Sequence, residues 1–177
     1  LRHEVREFLS DALKDVPKET RAETWYGSDE YFSRKVGHQG WIGLNWVGPL
    51  LLDIGTSAEK AKYLKNILSG DEIWCQGFSE PDHGSDLGSI QTRAVKDGDS
   101  YVVNGSKIWT TLGNYADHMI LLARTNNNTE RKYDGLSFFL TPMKIKGVDA
   151  QPIRKMTGEF GFNQIFFTDA RIPAESM

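Results

Sequence analysis

Near Gly70 the sequence changes its hydrophobic period, and no single kind of element can satisfy both halves. Before that point apolar residues recur every three or four positions. After it, short segments rich in Val, Ile, Thr, Phe and Trp alternate with polar residues and are cut by Gly, Asn and Asp. The first spacing belongs to amphipathic helices and the second to half-buried strands. The expected organisation is therefore α+β, with a helical domain over 1–72 and a β domain over 73–177.

In the first part, Leu1, Val5, Phe8, Leu9, Ala12, Leu13 and Val16 form one helical stripe that Pro17 stops. Leu1 already lies inside that pattern, which predicts residues before it. A second helix is expected over 30–36, ahead of the turn Gly37-His38-Gln39-Gly40. The third begins at Thr56, because Thr56-Ser57-Ala58-Glu59 reads as a capping box. Its apolar side is Ala61, Leu64 and Leu68, supported by Tyr63 and Ile67, and Gly70 stands where a helix end takes a left-handed residue.

In the second part, Asp97-Gly98 and Asn104-Gly105 are both tight-turn dipeptides. They predict a hairpin in which residues 100–103 turn back into 107–111. Further strands are expected over 119–124, 136–141 and 165–168, and several short strands at this spacing imply a small barrel or sandwich. The stretch from Asn126 to Lys132 is polar and reads as a solvated loop.

Several functions are excluded at this level. A net charge of −3 with interspersed signs offers no basic face for nucleic acid. No apolar run is long enough to span a bilayer. Cys75 is the only cysteine, so an internal disulfide and a thiolate metal cluster are both ruled out, and a reducing compartment fits. Neither GxGxxG nor a Walker loop is present, so a nucleotide cofactor would have to be held in some other way.

Two segments could carry chemistry. The first runs from Trp74 through Gln76, Phe78, Ser79, Glu80, Pro81, Gly84 and Ser85 to Asp86, an extended run entering a Pro-bounded turn. Such a turn can offer N–H groups and hydroxyls to an anionic or polar ligand, or it can simply satisfy itself. The second, Lys107-Ile108-Trp109-Thr110-Thr111, could set a flat apolar face and hydroxyls against a conjugated ring, although Trp and Thr are also ordinary strand residues.

Taken together, in this order and at this separation, the segments resemble the middle domain of the acyl-CoA dehydrogenase family. The likeness rests on Gly77-Phe78-Ser79-Glu80-Pro81, Gly84-Ser85-Asp86, Val103-Asn104-Gly105, Lys107, Trp109 and Thr111. It continues through Gly135-Leu136-Ser137-Phe138, Gly147-Val148, Asn163-Gln164-Ile165-Phe166-Phe167 and Arg171-Ile172-Pro173. Upstream, Gly40-Trp41-Ile42-Gly43-Leu44-Asn45-Trp46 is also familial. Relatives usually carry further helices after that signature, so the resemblance implies a missing segment near 46–48.

The resemblance implies an incomplete all-helical amino-terminal domain followed by a small antiparallel β-barrel that binds FAD. Gln76, Phe78, Ser79, Gly84 and Ser85 would line the cofactor, with Ser85 also near the acyl-CoA, and Trp109, Thr110 and Thr111 would meet the flavin ring. The implied reaction is α,β-dehydrogenation of an acyl-CoA thioester, with electrons passed to an electron-transfer flavoprotein by a homodimer or homotetramer. Its neighbours on the same fold are acyl-CoA oxidases, flavin monooxygenases and non-catalytic partner subunits. The family's base is a Glu in a carboxy-terminal helical domain. No catalytic residue is assigned in this chain, because Glu80, Glu159 and Glu175 match no base motif, and Glu80 is expected to bond its local backbone. Asp82 and His83 depart from the small residues common in the loop. Bacterial cytoplasm or mitochondrial matrix is the implied location.

Overall fold

The computed structural model describes residues 47–127 and 130–177, together with Glu7 and Asp11. Of the helix expected over 1–16, only Glu7 and Asp11 are described, both helical. The helix expected over 30–36 and the signature at 40–46 lie outside the described residues, as does the Trp46 side of the junction where a missing segment is implied. The chain divides into two units, Leu1–Asp71 and Glu72–Met177.

Beyond the helical Glu7 and Asp11, the described residues of the first unit form two helices. α1, Val47–Ile54, was not anticipated; Pro49 sits in its first turn, where a missing N–H breaks no helical bond. α2, Ser57–Ser69, starts as expected. The Thr56 hydroxyl accepts from the Glu59 N–H at 3.2 Å, and the Glu59 carboxylate accepts from the Thr56 N–H at 2.7 Å. Gly70 closes the helix at φ 73°, with its N–H directed to the carbonyls of Asn66 and Ile67. The buried row differs from the expected one: Tyr63 and Ile67 are buried and Ala61 is exposed. Residues four apart share a face, and the large pair wins the interior over alanine.

The second unit is a curled seven-stranded sheet. Its strands are β1 Trp74–Gly77, β2 Arg93–Asp97, β3 Ser100–Thr111, β4 His118–Arg124, β5 Leu136–Pro142, β6 Val148–Arg154 and β7 Phe160–Pro173. They run in the order β1-β4-β2-β3-β7-β6, with β5 on β4. β1 and β2 both pair with β4 in parallel, so the sheet is mixed, where an antiparallel barrel was expected. Among the described residues no ladder joins β6 to β1 or β5, and hydrogen bonds do not close the sheet. The β1–β4 pair can be parallel because the whole β2–β3 hairpin intervenes, and the β2–β4 pair because β3 does, each letting the chain return in the same direction.

The core explains the pattern. On β4 the run Met119 to Ala123 is buried throughout, as befits a central strand covered on both faces. Met119, Leu121, Phe139, Ile165, Phe167 and Ile172 form one cluster with Tyr101 and Val103. Cys75 lies in the same cluster, fully buried, and its thiol pKa is pushed up by burial to about 12. A thiol without thiolate character or access is inert. Native protein is thus expected to leave Cys75 unlabelled by a thiol-specific reagent and unfolded protein to label it fully; rapid native labelling would contradict this burial.

Asp97-Gly98 makes the expected tight turn between β2 and β3, with Asp97 opposite Ser100. Asn104-Gly105 does not turn, and β3 runs straight through it for 12 residues. From Val103↔Ala170 to Gly105↔Phe167, β3 advances two residues while β7 spans three, so this is a bulge. The Asn104 side chain fills it, donating to Asp169 Oδ1 at 3.0 Å and accepting from the Asp169 N–H at 2.9 Å. Gly105 has φ 145°, and a Cβ there would come within 2.7 Å of the Thr92 Cα. The glycine thus serves a close approach between chain segments where the dipeptide suggested a reversal.

Candidate functional site

The first chemistry-bearing segment leaves β1 and crosses the end of the sheet beside β3. In β1, Cys75 and Gly77 face inward, so the alternation puts Gln76 on the outer face. The turn that follows is closed by reciprocal bonds, Glu80 N–H to the His83 carbonyl at 2.8 Å and His83 N–H to the Glu80 carbonyl at 3.1 Å. Farther on, Arg124 donates to the carbonyls of Gly88 and Ile90 at 2.6 and 3.2 Å. Asp86 pairs with Lys132 and accepts from the Ser89 hydroxyl, and these two hydrogen bonds hold its carboxyl below the usual value.

Under the turn lies an ion pair that the sequence did not announce. Lys107 is fully buried, and its ammonium donates to Glu80 Oε1 at 2.9 Å and to the Phe78 carbonyl at 3.0 Å. The Glu80 carboxylate also accepts from the N–H groups of Gln91 at 2.6 Å and Thr92 at 2.8 Å. Its bonds therefore reach 11 and 12 residues along the chain, where local backbone bonding was expected. Burial alone would raise the Glu80 pKa; the Thr92 and Gln91 donors and Lys107 outweigh it and lower the pKa.

The second segment owes its geometry to another bulge. From Lys107↔Ile165 to Thr110↔Asn163, β3 spends one residue more than β7. Strict alternation would put Trp109 on the inner face with Lys107. The extra residue lets Lys107 and Thr110 both point inward while Ile108 and Trp109 both face outward. Trp109 takes φ 61°, a left-handed conformation rare for a bulky residue, and is 58% exposed. Phe162 meets its ring edge-on, with centroids 6.1 Å apart.

These segments meet at a cleft of about 280 Å³ lined by Gln76, Phe78, Ser79, Gly84, Leu87, Ile108 and Trp109. The Ile108 N–H donates to the Ser79 carbonyl at 2.8 Å, joining its two walls. Phe78 leans on Phe138 of β5 at 5.5 Å. Of the residues singled out from sequence, Gln76, Phe78, Ser79, Gly84 and Trp109 come together here. Ser85 is exposed on the same turn, outside the lining. Thr111 is half-buried at the end of β3, also outside it. Thr110 turns inward, its hydroxyl buried with no partner among the described residues and its carbonyl taking a bond from Asn163 at 3.0 Å. Leu87 and Ile108 were not singled out, and only their position beside a turn and a bulge marks them. Among the described residues no cluster could hold a metal ion, and no helix is long and apolar enough to cross a membrane.

An aromatic wall with a few convergent polar groups is the build that small-molecule sites use, which makes this cleft of the β domain the candidate site. Residues 75–170 match the family model for the acyl-CoA dehydrogenase middle domain. The acyl-CoA dehydrogenase IpdE1 of Mycobacterium tuberculosis is 43% identical over 141 residues, covering 80% of this chain and 36% of that protein. The (2S)-methylsuccinyl-CoA dehydrogenase of Cereibacter sphaeroides is 46% identical over 121 residues, 64% of this chain and 22% of that one. A solved structure, the Tcur3481-Tcur3483 steroid ACAD, superposes with TM-score 0.86 at 29% identity, covering 97% of this chain and 54% of its own. The chain belongs to the acyl-CoA dehydrogenase family. It spans about a third or less of the length of these curated relatives.

FAD is the cofactor that goes with this membership. The cleft has the chemistry to take part of such a group: a flat, largely exposed indole, apolar Phe78, Leu87 and Ile108, and the polar Ser79 and Gln76 beside them.

Proposed function

We propose that this chain carries the flavin-facing β domain of an FAD-dependent acyl-CoA dehydrogenase, an enzyme that converts an acyl-CoA thioester to the enoyl-CoA. The observation that carries the reading is Ser79 and Trp109 on facing walls of one cleft, joined by the Ile108–Ser79 backbone bond, in a chain of this family. Bound FAD would supply the hydride acceptor for the β-carbon.

The chain's own residues would bind and shield. Trp109 would shield a bound ring from water with its exposed indole, and Phe78, Gly84 and Leu87 complete the wall. Ser79 would supply a donor for the negative charge that gathers when the cofactor is reduced, a preorganised contact that needs no reorganisation. Gln76 adds a polar contact from β1. Thr111 would offer its hydroxyl near the hydride-accepting nitrogen, Thr110 only its backbone, and Ser85 would lie toward the acyl-CoA.

The α-proton beside the thioester needs a carboxylate with room to act. Glu80 is engaged by two N–H groups and an ammonium, so it has no such freedom. We assign the base to a Glu of a carboxy-terminal helical domain outside this chain, the electron acceptor to an electron-transfer flavoprotein, and the assembly to a homodimer or homotetramer. The setting that fits a lone, buried, reduced cysteine is the bacterial cytoplasm or a mitochondrial matrix. The paired name of the steroid ACAD structure favours a second reading, in which this chain is one of two unlike subunits.

The test is the anaerobic visible spectrum of the full-length protein before and after saturated acyl-CoA thioesters of several lengths. Loss of the oxidised-flavin band with one of them is expected. Flavin that no acyl-CoA bleaches would move the reading to an oxygen-using or non-catalytic relative, and absence of flavin after adding FAD would overturn it.

A further inference from the structure

We propose that Lys107 is a positioning residue for the cofactor, turning the Phe78–Ser79 peptide so that the Ser79 N–H stands as an unoccupied donor at the cleft. The inference rests on the FAD reading and deepens it. An ammonium taken fully out of water costs several kcal/mol unless well partnered, and an inward strand position is ordinarily filled by an aliphatic residue. Lys107 occupies such a position on β3 with no exposed surface. Its two oxygen partners, Glu80 Oε1 and the Phe78 carbonyl, lie on the loop segment that forms one wall of the cleft.

Peptide geometry converts that contact into a direction. Among the described residues no peptide is cis, so the Phe78 C=O and the Ser79 N–H point opposite ways across one planar unit. The C=O is aimed at Lys107 in the interior, hence the N–H is aimed away from it. Ser79 lines the cleft, and its carbonyl is already taken by the Ile108 N–H. Among the described residues neither the Ser79 N–H nor its hydroxyl has a protein partner, and at a half-buried position beside the cleft both are open to a ligand. A hydrogen bond from a cation to a carbonyl is stronger than a neutral one and polarises the peptide, making the N–H on its other side a better donor. The charge thus acts on the cleft through one peptide, and it fixes the donor before a ligand arrives.

A purely structural staple would need none of this, since well-packed apolar residues of similar volume often replace a buried ion pair at no cost in stability. The double variant Lys107→Met, Glu80→Gln removes both charges at similar volume and is compared with wild type in the full-length holoenzyme. FAD affinity is expected to fall about tenfold or more, the scale of one charge-assisted hydrogen bond. Affinity for the reduced form should fall about tenfold further than for the oxidised form, a potential about 30 mV more negative for a two-electron couple. A folded double variant with wild-type FAD affinity and potential would overturn the proposal while leaving the FAD reading intact. If that variant does not fold, amide hydrogen exchange of the wild type decides: protection of the Ser79 N–H on adding FAD supports the proposal, and an N–H that FAD leaves unprotected sinks it. Wild-type protein that takes up no FAD would remove the functional reading and this inference together.

Discussion

Replacing Glu80 with alanine is expected to destabilise the β domain by about 3–5 kcal/mol, the range for breaking a buried ion pair by removing one partner. The size follows from what is stranded. The Lys107 ammonium keeps only the Phe78 carbonyl, and the Gln91 and Thr92 N–H groups lose their acceptor at once. A domain's net stability is only about 5–15 kcal/mol, so the variant should lie near the edge of folding. Its Tm should drop on the order of 15 °C or more for a domain of this size.

The same pair gives a pH signature. The folded Glu80 pKa lies below the ordinary value, so its stabilisation is complete above the unfolded pKa and is lost as pH falls through the folded one. Wild type should therefore lose stability in acid that Glu80→Ala no longer has to lose. The gap between their Tm values should be widest near neutrality and narrow on acidification below the usual carboxylate pKa. A gap that stays constant with pH would mean that the carboxylate's charge contributes nothing.

The difference between what could and could not be read from the sequence has a physical boundary. Thr56 with Glu59, Gly70 and Asp97-Gly98 act on residues no more than a few positions away, and each forms what its local chemistry predicts. Asn104-Gly105 carries the same turn chemistry, yet it is put to another use by Asp169, 65 residues on, and by Thr92 pressing against the glycine. The parallel pairing of β1 with β4 is likewise set by strand order, which no local pattern encodes. Lysine is almost never fully buried, so nothing in the run Ser106-Lys107-Ile108 announces that Lys107 lies under the cleft. Five of the residues singled out from sequence, Gln76, Phe78, Ser79, Gly84 and Trp109, line the cleft, while Ser85, Thr110 and Thr111 do not. The cleft's geometry was not legible, because it depends on a bulge whose extra residue shows only in register against β7.

That bulge makes Trp109 the place where stability and binding should separate most clearly. A non-glycine residue held in the left-handed region costs about 1–3 kcal/mol, and Trp109 at φ 61° carries that strain. Trp109→Gly removes the strain. It also forfeits the edge contact with Phe162, about 0.5–1.5 kcal/mol, and adds about 0.5–1 kcal/mol of backbone freedom to the unfolded chain. These terms nearly cancel, so the apo-protein's Tm should change little, although the largest aromatic of the cleft is gone. Binding has no such compensation, because the open indole face is the cleft's flat wall and glycine leaves nothing in its place. FAD affinity in the full-length protein should fall by about tenfold or more, the scale of one lost aromatic contact together with its buried area. Trp109→Phe should behave in the opposite sense, keeping much of the affinity and all of the strain. Loss of several kcal/mol of apo stability in Trp109→Gly would show that the ring is there to hold the fold. Unchanged stability with weakened FAD binding would show that the strain at φ 61° is tolerated for the sake of the cleft.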